Sequence, residues 1–88
     1  MKRFYGLADG QVQGVGFRSY MQLIAIQHHC TGWVKNLENG TVEFQLQGEK
    51  EDLLLILSLL QKGNQFIKVN DLQTKEIDLI SEKKFLVR

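Results

Sequence analysis

Three glycines fall within the seven positions from Gly10 to Gly16, and Arg18 follows two residues later. Glycine reaches backbone angles that other residues avoid, so successive N–H groups in such a stretch can converge on one point. Beyond it, Phe17, Tyr20, Met21, Ile24 and His28 recur at spacings of three and four, which predicts a helix over 17–29. The start of that helix adds unpaired N–H groups and the positive end of its dipole, a combination that holds phosphate well. Arg18 sharpens the case. A cation in a first helical turn is misplaced by about 0.3–1 kcal/mol, a penalty that reverses when an anion lies between the arginine and the helix end. The guanidinium also offers a fork matched to phosphate oxygens. Gly10–Arg18 is therefore a candidate anion-binding loop, although glycine-rich turns and solvated arginines are common enough to leave a purely structural origin open. Phe17-Arg18 stands where a P-loop needs Lys followed by Ser or Thr, and the glycine spacing is not G-x-G-x-x-G. Neither a Walker-type nor a dinucleotide site is indicated.

Other reactive side chains are weaker candidates. His28 and His29 lie at least ten residues beyond Arg18, about 15 Å further along a helix, and adjacent helical positions face different ways. No metal site is expected from them. Cys30 follows the far end of the same helix with no sign of activation, and reads as a small buried hydrophobe. Trp33 on a strand is expected to pack. Lys35 and Asn36 point to opposite faces of that strand, so only one of them can line a given site. Asn36 taken alone also fits a polar residue preparing a turn, and Asn39 is expected only to form that turn.

The elements that position these residues read as follows. A first strand covers 3–9, the glycine loop 10–16, the helix 17–29 and a second strand 31–37. Asn39-Gly40 signals a hairpin with a type I′ turn. Residues 41–47 alternate, Val42, Phe44 and Leu46 taking one face, as in a half-buried strand. A second helix covers 49–61 with Leu53, Ile56, Leu57 and Leu60 inward. Leu55 and Leu59 lie off that stripe and Leu54 is ambiguous; they pack on loops or form an exposed patch. Two more strands are expected near 66–72 and 76–87. The βαββαβ order, with an extra C-terminal strand as an option, matches an α+β, ferredoxin-like split-βαβ sandwich: an antiparallel sheet with two helices on one face. In it the first two strands run the same way with one strand between them, about 10 Å apart. The glycine loop and Asn36 then share one sheet edge, with room between them for a phosphate and a water.

Composition limits the partners. The 88 residues, 43% hydrophobic and 24% charged, allow one domain over 1–88. A net charge of +1 gives no global field toward nucleic acid or an anionic membrane, so any anion site is local. The single cysteine excludes an internal disulfide and favours a reducing, cytoplasmic setting. The apolar run after Met1-Lys2-Arg3 stops at Asp9, too short for a signal peptide, and no segment reads as a transmembrane span. A monomer is expected.

Val12-Gln13-Gly14-Val15-Gly16-Phe17-Arg18, followed by Gly32-Trp33-Val34-Lys35-Asn36 and Asn39-Gly40-Thr41-Val42, resembles the acylphosphatase family. Two dense motifs stand in the family's order and separation, and Gly48 and Phe85 to Arg88 extend the likeness over most of the chain. The resemblance implies an enzyme that hydrolyses the carboxyl–phosphate bond of acyl phosphates without metal or cofactor. It implies that Arg18 grips phosphate with the backbone N–H groups of Gln13, Gly14, Val15, Gly16, Phe17 and Arg18, and that Asn36 holds the attacking water. Asp9 and Gln11 depart from the family's usual apolar and basic residues and make the loop less positive. Prolines common around Gly63-Asn64 are missing, and the chain ends at Arg88 without the aromatic residue many members carry.

Two other functions compete. A module that binds a phosphorylated metabolite without cleaving it would keep the loop, but the presence of both Arg18 and Asn36 favours the enzyme. An RNA-binding sheet of the RRM type shares the element order, yet it needs stacking aromatics on its central strands. The third strand offers only Phe44, on the apolar face.

Overall fold

The alternation of Val42, Phe44 and Leu46 places three fully buried side chains on one face of a strand, and the sheet is organised around it. In the computed structural model, which describes residues 1–88, the chain forms β1 (Lys2–Gln11), α1 (Phe17–Gln27), β2 (Thr31–Asn36), β3 (Val42–Gly48), α2 (Lys50–Lys62), β4 (Lys68–Ile77) and β5 (Phe85–Val87). The sheet order is β4-β1-β3-β2-β5. β3 lies between β1 and β2 and runs antiparallel to both. The carboxyl ends of β1 and β2 therefore meet at one edge of the sheet, as the ferredoxin-like order requires. Both helices cover one face. Phe17, Met21, Ile24 and Ala25 of α1 and Leu53, Ile56 and Leu60 of α2 join Val34, Val42, Phe44 and Leu46 in a continuous core. Leu57 and Leu59 pack against its margin, whereas Leu54 and Leu55 are exposed.

Several boundaries differ from the sequence reading. β1 reaches Gln11 and takes in Gly10, because β4 pairs along it across a register shift at Asp9/Gly10. α1 stops at Gln27: His29 is left-handed, with φ 57°, and the Cys30 N–H turns back to the Ala25 carbonyl. The hairpin after β2 is not a two-residue type I′ turn. Leu37 pairs with Thr41, three residues form the loop, and only Gly40 has positive φ, the geometry of a type I turn closed by a left-handed residue. The strands expected at 66–72 and 76–87 are instead one long β4 and a three-residue β5. β5 pairs parallel to β2, so the sheet is mixed.

The opposite sheet face holds a feature with no sequence signal. Arg3 is fully buried there. Its guanidinium donates to both Glu82 carboxylate oxygens at 2.9 and 3.2 Å, to Gln45 Oε1 at 2.8 Å and to Gln47 Oε1 at 3.2 Å. Gln47 also exchanges hydrogen bonds with the backbone of Ile80. The segment between β4 and β5 is thereby fastened over β1 and β3, and β5 is delivered to the far side of β2. No helix is long and apolar enough to cross a membrane.

Candidate active site

The loop leaves β1 at Gln11 and enters α1 at Phe17. Gly14 and Gly16 both have positive φ, 71° and 82°, and a Cβ on either would meet no other atom within 4 Å. Glycine is thus required for backbone conformation and not for space. Gly16 caps the helix without any side-chain hydrogen bond, and the first turn contains no acid. The first helical bond runs from the Tyr20 N–H to the Gly16 carbonyl, and no N–H from Gln13 to Ser19 finds a backbone acceptor. The result is a concave row of donors at the positive end of a helix, open to an anion.

A cavity of about 100 Å³ lies against this row, lined by Val12, Gly14, Gly16, Phe17, Arg18, Ser19 and Asn36. Phe17 and Val12 are buried at its floor. Arg18 is paired with no Asp or Glu side chain. Its Nη1 donates to the Arg88 carbonyl at 2.8 Å, so the residue that follows β5 orients the guanidinium beside the loop. Asn36 ends β2 opposite Val42. Its Oδ1 is buried and has no hydrogen-bond partner. A buried acceptor left unpaired costs about 1–3 kcal/mol, and a bound water or ligand group relieves that cost.

Among the residues singled out from the sequence, Gly14, Gly16, Phe17, Arg18 and Asn36 meet at this cavity, while Gln13 and Val15 do not line it. Val15 packs half-buried on the core. The Gln13 side chain donates to the carbonyls of Leu37 and Thr41, at 2.7 and 2.9 Å. Ser19 is an addition whose only sequence signal is its place in the first turn beside Arg18. Asp9 is exposed and outside the cavity, its Oδ1 accepting from the Gly10 N–H.

The residues set aside lie elsewhere. Lys35 is on the other sheet face, 3.5 Å from Glu43 and over the Trp33 ring. The Arg88 guanidinium covers the same ring at 4.8 Å. Asn39 Oδ1 accepts from the N–H and hydroxyl of Thr41 and shapes the turn. His28 pairs with Asp52 at 3.7 Å. A wider cleft of about 440 Å³, lined by His29, Cys30, Lys83 and Lys84 among others, opens at the far end of α1. The Cys30 thiol there is pushed up to about 11, by burial first and by the Asp52 charge second, which keeps it protonated and unreactive near neutral pH.

The acylphosphatase family model matches residues 4–87. The chain is 43% identical over 89 residues to an acylphosphatase of Clostridium beijerinckii, covering 100% of this chain and 99% of that one. It is 46% identical over 81 residues to an acylphosphatase of Bacillus licheniformis, covering 89% and 90%. The crystal structure of acylphosphatase from Bacillus subtilis superposes with a TM-score of 0.95 at 34% identity, covering 100% of this chain and 99% of that one.

Proposed function

This chain belongs to the acylphosphatase family, and we propose that Arg18 and the loop N–H groups bind the phosphoryl group of a small acyl phosphate while Asn36 holds the water that cleaves it. The reaction breaks the carboxyl–phosphate bond and releases a carboxylate and phosphate. A carboxylate leaves readily, so acid catalysis contributes little. What remains is to stabilise charge on the phosphoryl oxygens and to bring water in line with the leaving group. The unpaired N–H groups from Gln13 to Ser19 and the Arg18 fork suit the first task.

The observation that carries the second task is the place of Asn36 in the lining of the cavity shared with the loop and Arg18, together with its buried, unpartnered Oδ1. That oxygen can accept a hydrogen bond from water and so turn a water lone pair toward phosphorus. An amide is a poor base, so the water's proton passes to a phosphate oxygen of the substrate itself. All of residues 1–88 act as one unit in this scheme, in the cytoplasm and as a monomer.

Hydrolysis of benzoyl phosphate by wild-type protein, Arg18→Ala and Asn36→Ala, with chelator present, tests the assignment. Turnover that survives chelation and collapses in both variants is expected, with inorganic phosphate still binding Asn36→Ala in a direct titration. Near-normal turnover in Asn36→Ala would refute its role. A folded wild-type protein without turnover would leave a phosphate-binding module.

A further inference from the structure

Gln13 precedes the first loop glycine, yet its side chain leaves the phosphate cavity and crosses to the β2–β3 hairpin. One Nε2 donates to both the Leu37 and Thr41 carbonyls, at 2.7 and 2.9 Å. These two residues close the hairpin: the Leu37 N–H already bonds the Thr41 carbonyl, and the Leu37 carbonyl already accepts from Gly40. Gln13 thus adds a second donor to each. Leu37 directly follows Asn36, and Thr41 directly precedes Val42, the cross-strand partner of Asn36. The two bonds therefore adjoin the Asn36–Val42 pair on its turn side.

No other hydrogen bond joins the loop to this hairpin. Asn36 is the last residue of β2, and the turn beyond it, Glu38 to Gly40, is exposed. Strand ends of this kind open readily, and the unpartnered Oδ1 of Asn36 has no protein bond of its own to fix its position. We infer that the Gln13 side-chain amide is a positioning residue that ties the hairpin carrying Asn36 to the phosphate loop, setting the distance between the water site and the phosphoryl site. This inference rests on the role proposed above for Asn36. A displacement of about 1 Å between reacting groups can cost on the order of a hundredfold in rate, so the tether belongs to turnover more than to phosphate binding.

Gln13→Leu removes both donors at similar size. Gln13→Glu keeps the shape but turns a carboxylate toward two carbonyl oxygens, and when protonated it regains one donor. Benzoyl phosphate turnover, competitive inhibition by inorganic phosphate and urea denaturation are measured for both, beside wild type and Asn36→Ala. The expected result for Gln13→Leu is a kcat at least tenfold lower with the phosphate inhibition constant within threefold of wild type. For Gln13→Glu, kcat relative to wild type at the same pH recovers as pH falls through the carboxyl range. The Asn36 side-chain amide signals of nitrogen-labelled Gln13→Leu should shift or broaden, while phosphate still shifts the Gly14 and Gly16 N–H signals. A kcat within twofold of wild type overturns the inference, as does a fall in kcat matched by an equal loss of phosphate inhibition, which would mean a collapsed loop. If Gln13→Leu does not fold, the pH profile of Gln13→Glu decides: no recovery at low pH overturns the tether. Retained turnover in Asn36→Ala instead overturns the role of Asn36, and this inference with it; lost turnover there beside an unaffected Gln13→Leu overturns the tether alone.

Discussion

Arg18→Lys preserves the charge at the start of α1 and removes the fork. In the structure one guanidinium N–H is committed to the Arg88 carbonyl at 2.8 Å. Arginine has five donors, so four remain, arranged in one plane, and two of them can meet two phosphoryl oxygens in parallel. Lysine has three donors on one nitrogen. If one of them keeps the Arg88 carbonyl, the other two diverge and cannot reproduce the paired contact. Loss of a preorganised donor at developing charge costs about 2.7–4 kcal/mol. A value of about 3 kcal/mol corresponds to roughly 150-fold in kcat/KM. Misfolding does not confound the result. The bond to Arg88 is exposed, and exposed charged contacts contribute about 0–1 kcal/mol to stability. In Arg18→Ala that loss is offset by removing a cation from a helix start, a relief of about 0.3–1 kcal/mol. Benzoyl phosphate kinetics give kcat/KM, inorganic phosphate inhibition gives binding, and urea denaturation gives stability. Kinetics of Arg18→Lys within threefold of wild type, with unchanged phosphate inhibition, would refute bidentate gripping.

Three further outcomes are expected. Gly16→Ala places a side chain in a left-handed conformation, φ 82°, at a cost of about 1–2 kcal/mol; urea midpoints should fall accordingly and phosphate inhibition weaken several-fold, with Gly16→Asn intermediate, and an unchanged inhibition constant would mean that the loop backbone does not hold phosphate. Arg3→Ala strands the Glu82 carboxylate, 16% exposed, and should destabilise by about 3–5 kcal/mol; a loss under about 1 kcal/mol in urea would show that this pair does not hold the 78–84 segment. Cys30, with its thiol pushed up to about 11, should resist iodoacetamide near pH 8, where about one molecule in a thousand is thiolate. The unfolded thiol releases its proton first as pH rises, so relative to Cys30→Ala the wild-type protein should lose about 1.4 kcal/mol per pH unit between about pH 9 and 11, and equal pH dependence of the two would contradict the shift.

Local signals served the sequence reading well where one face of an element is buried and the other is wet. The alternation in β3 and the apolar stripes of α1 and α2 are of this kind, because burial on one side imposes a period on the sequence. β4 lacked the signal for the opposite reason. It is an edge strand, exposed at most positions, and its polar residues Gln73, Lys75 and Glu76 interrupt any alternation. β1, ten residues long, supplies the ladder that keeps β4 continuous through them. A C-terminal strand was expected, but the extent and partner of β5 were obscure, since three residues paired to a strand some fifty positions earlier leave no local pattern. The turn type failed because Asn39-Gly40 fits two loops, and the pairing of Leu37 with Thr41 chose the three-residue one.

By itself the sequence determined the candidate chemistry. Glycines at 14 and 16, a helix start without an acid, an arginine in the first turn and an asparagine closing a strand are properties of residue type and spacing, and the backbone conformations they permit are local. Only the tertiary structure decided how these parts meet. Strand order brought the ends of β1 and β2 to one edge. The buried Arg3–Glu82 pair fastened the segment that leads into β5, and the pairing of β5 with β2 brought the Arg88 carbonyl against Arg18. Gln13 crossed to the hairpin that holds Asn36. Each of these is a contact between residues far apart in the chain, formed when the sheet assembles, and no local period or propensity encodes it.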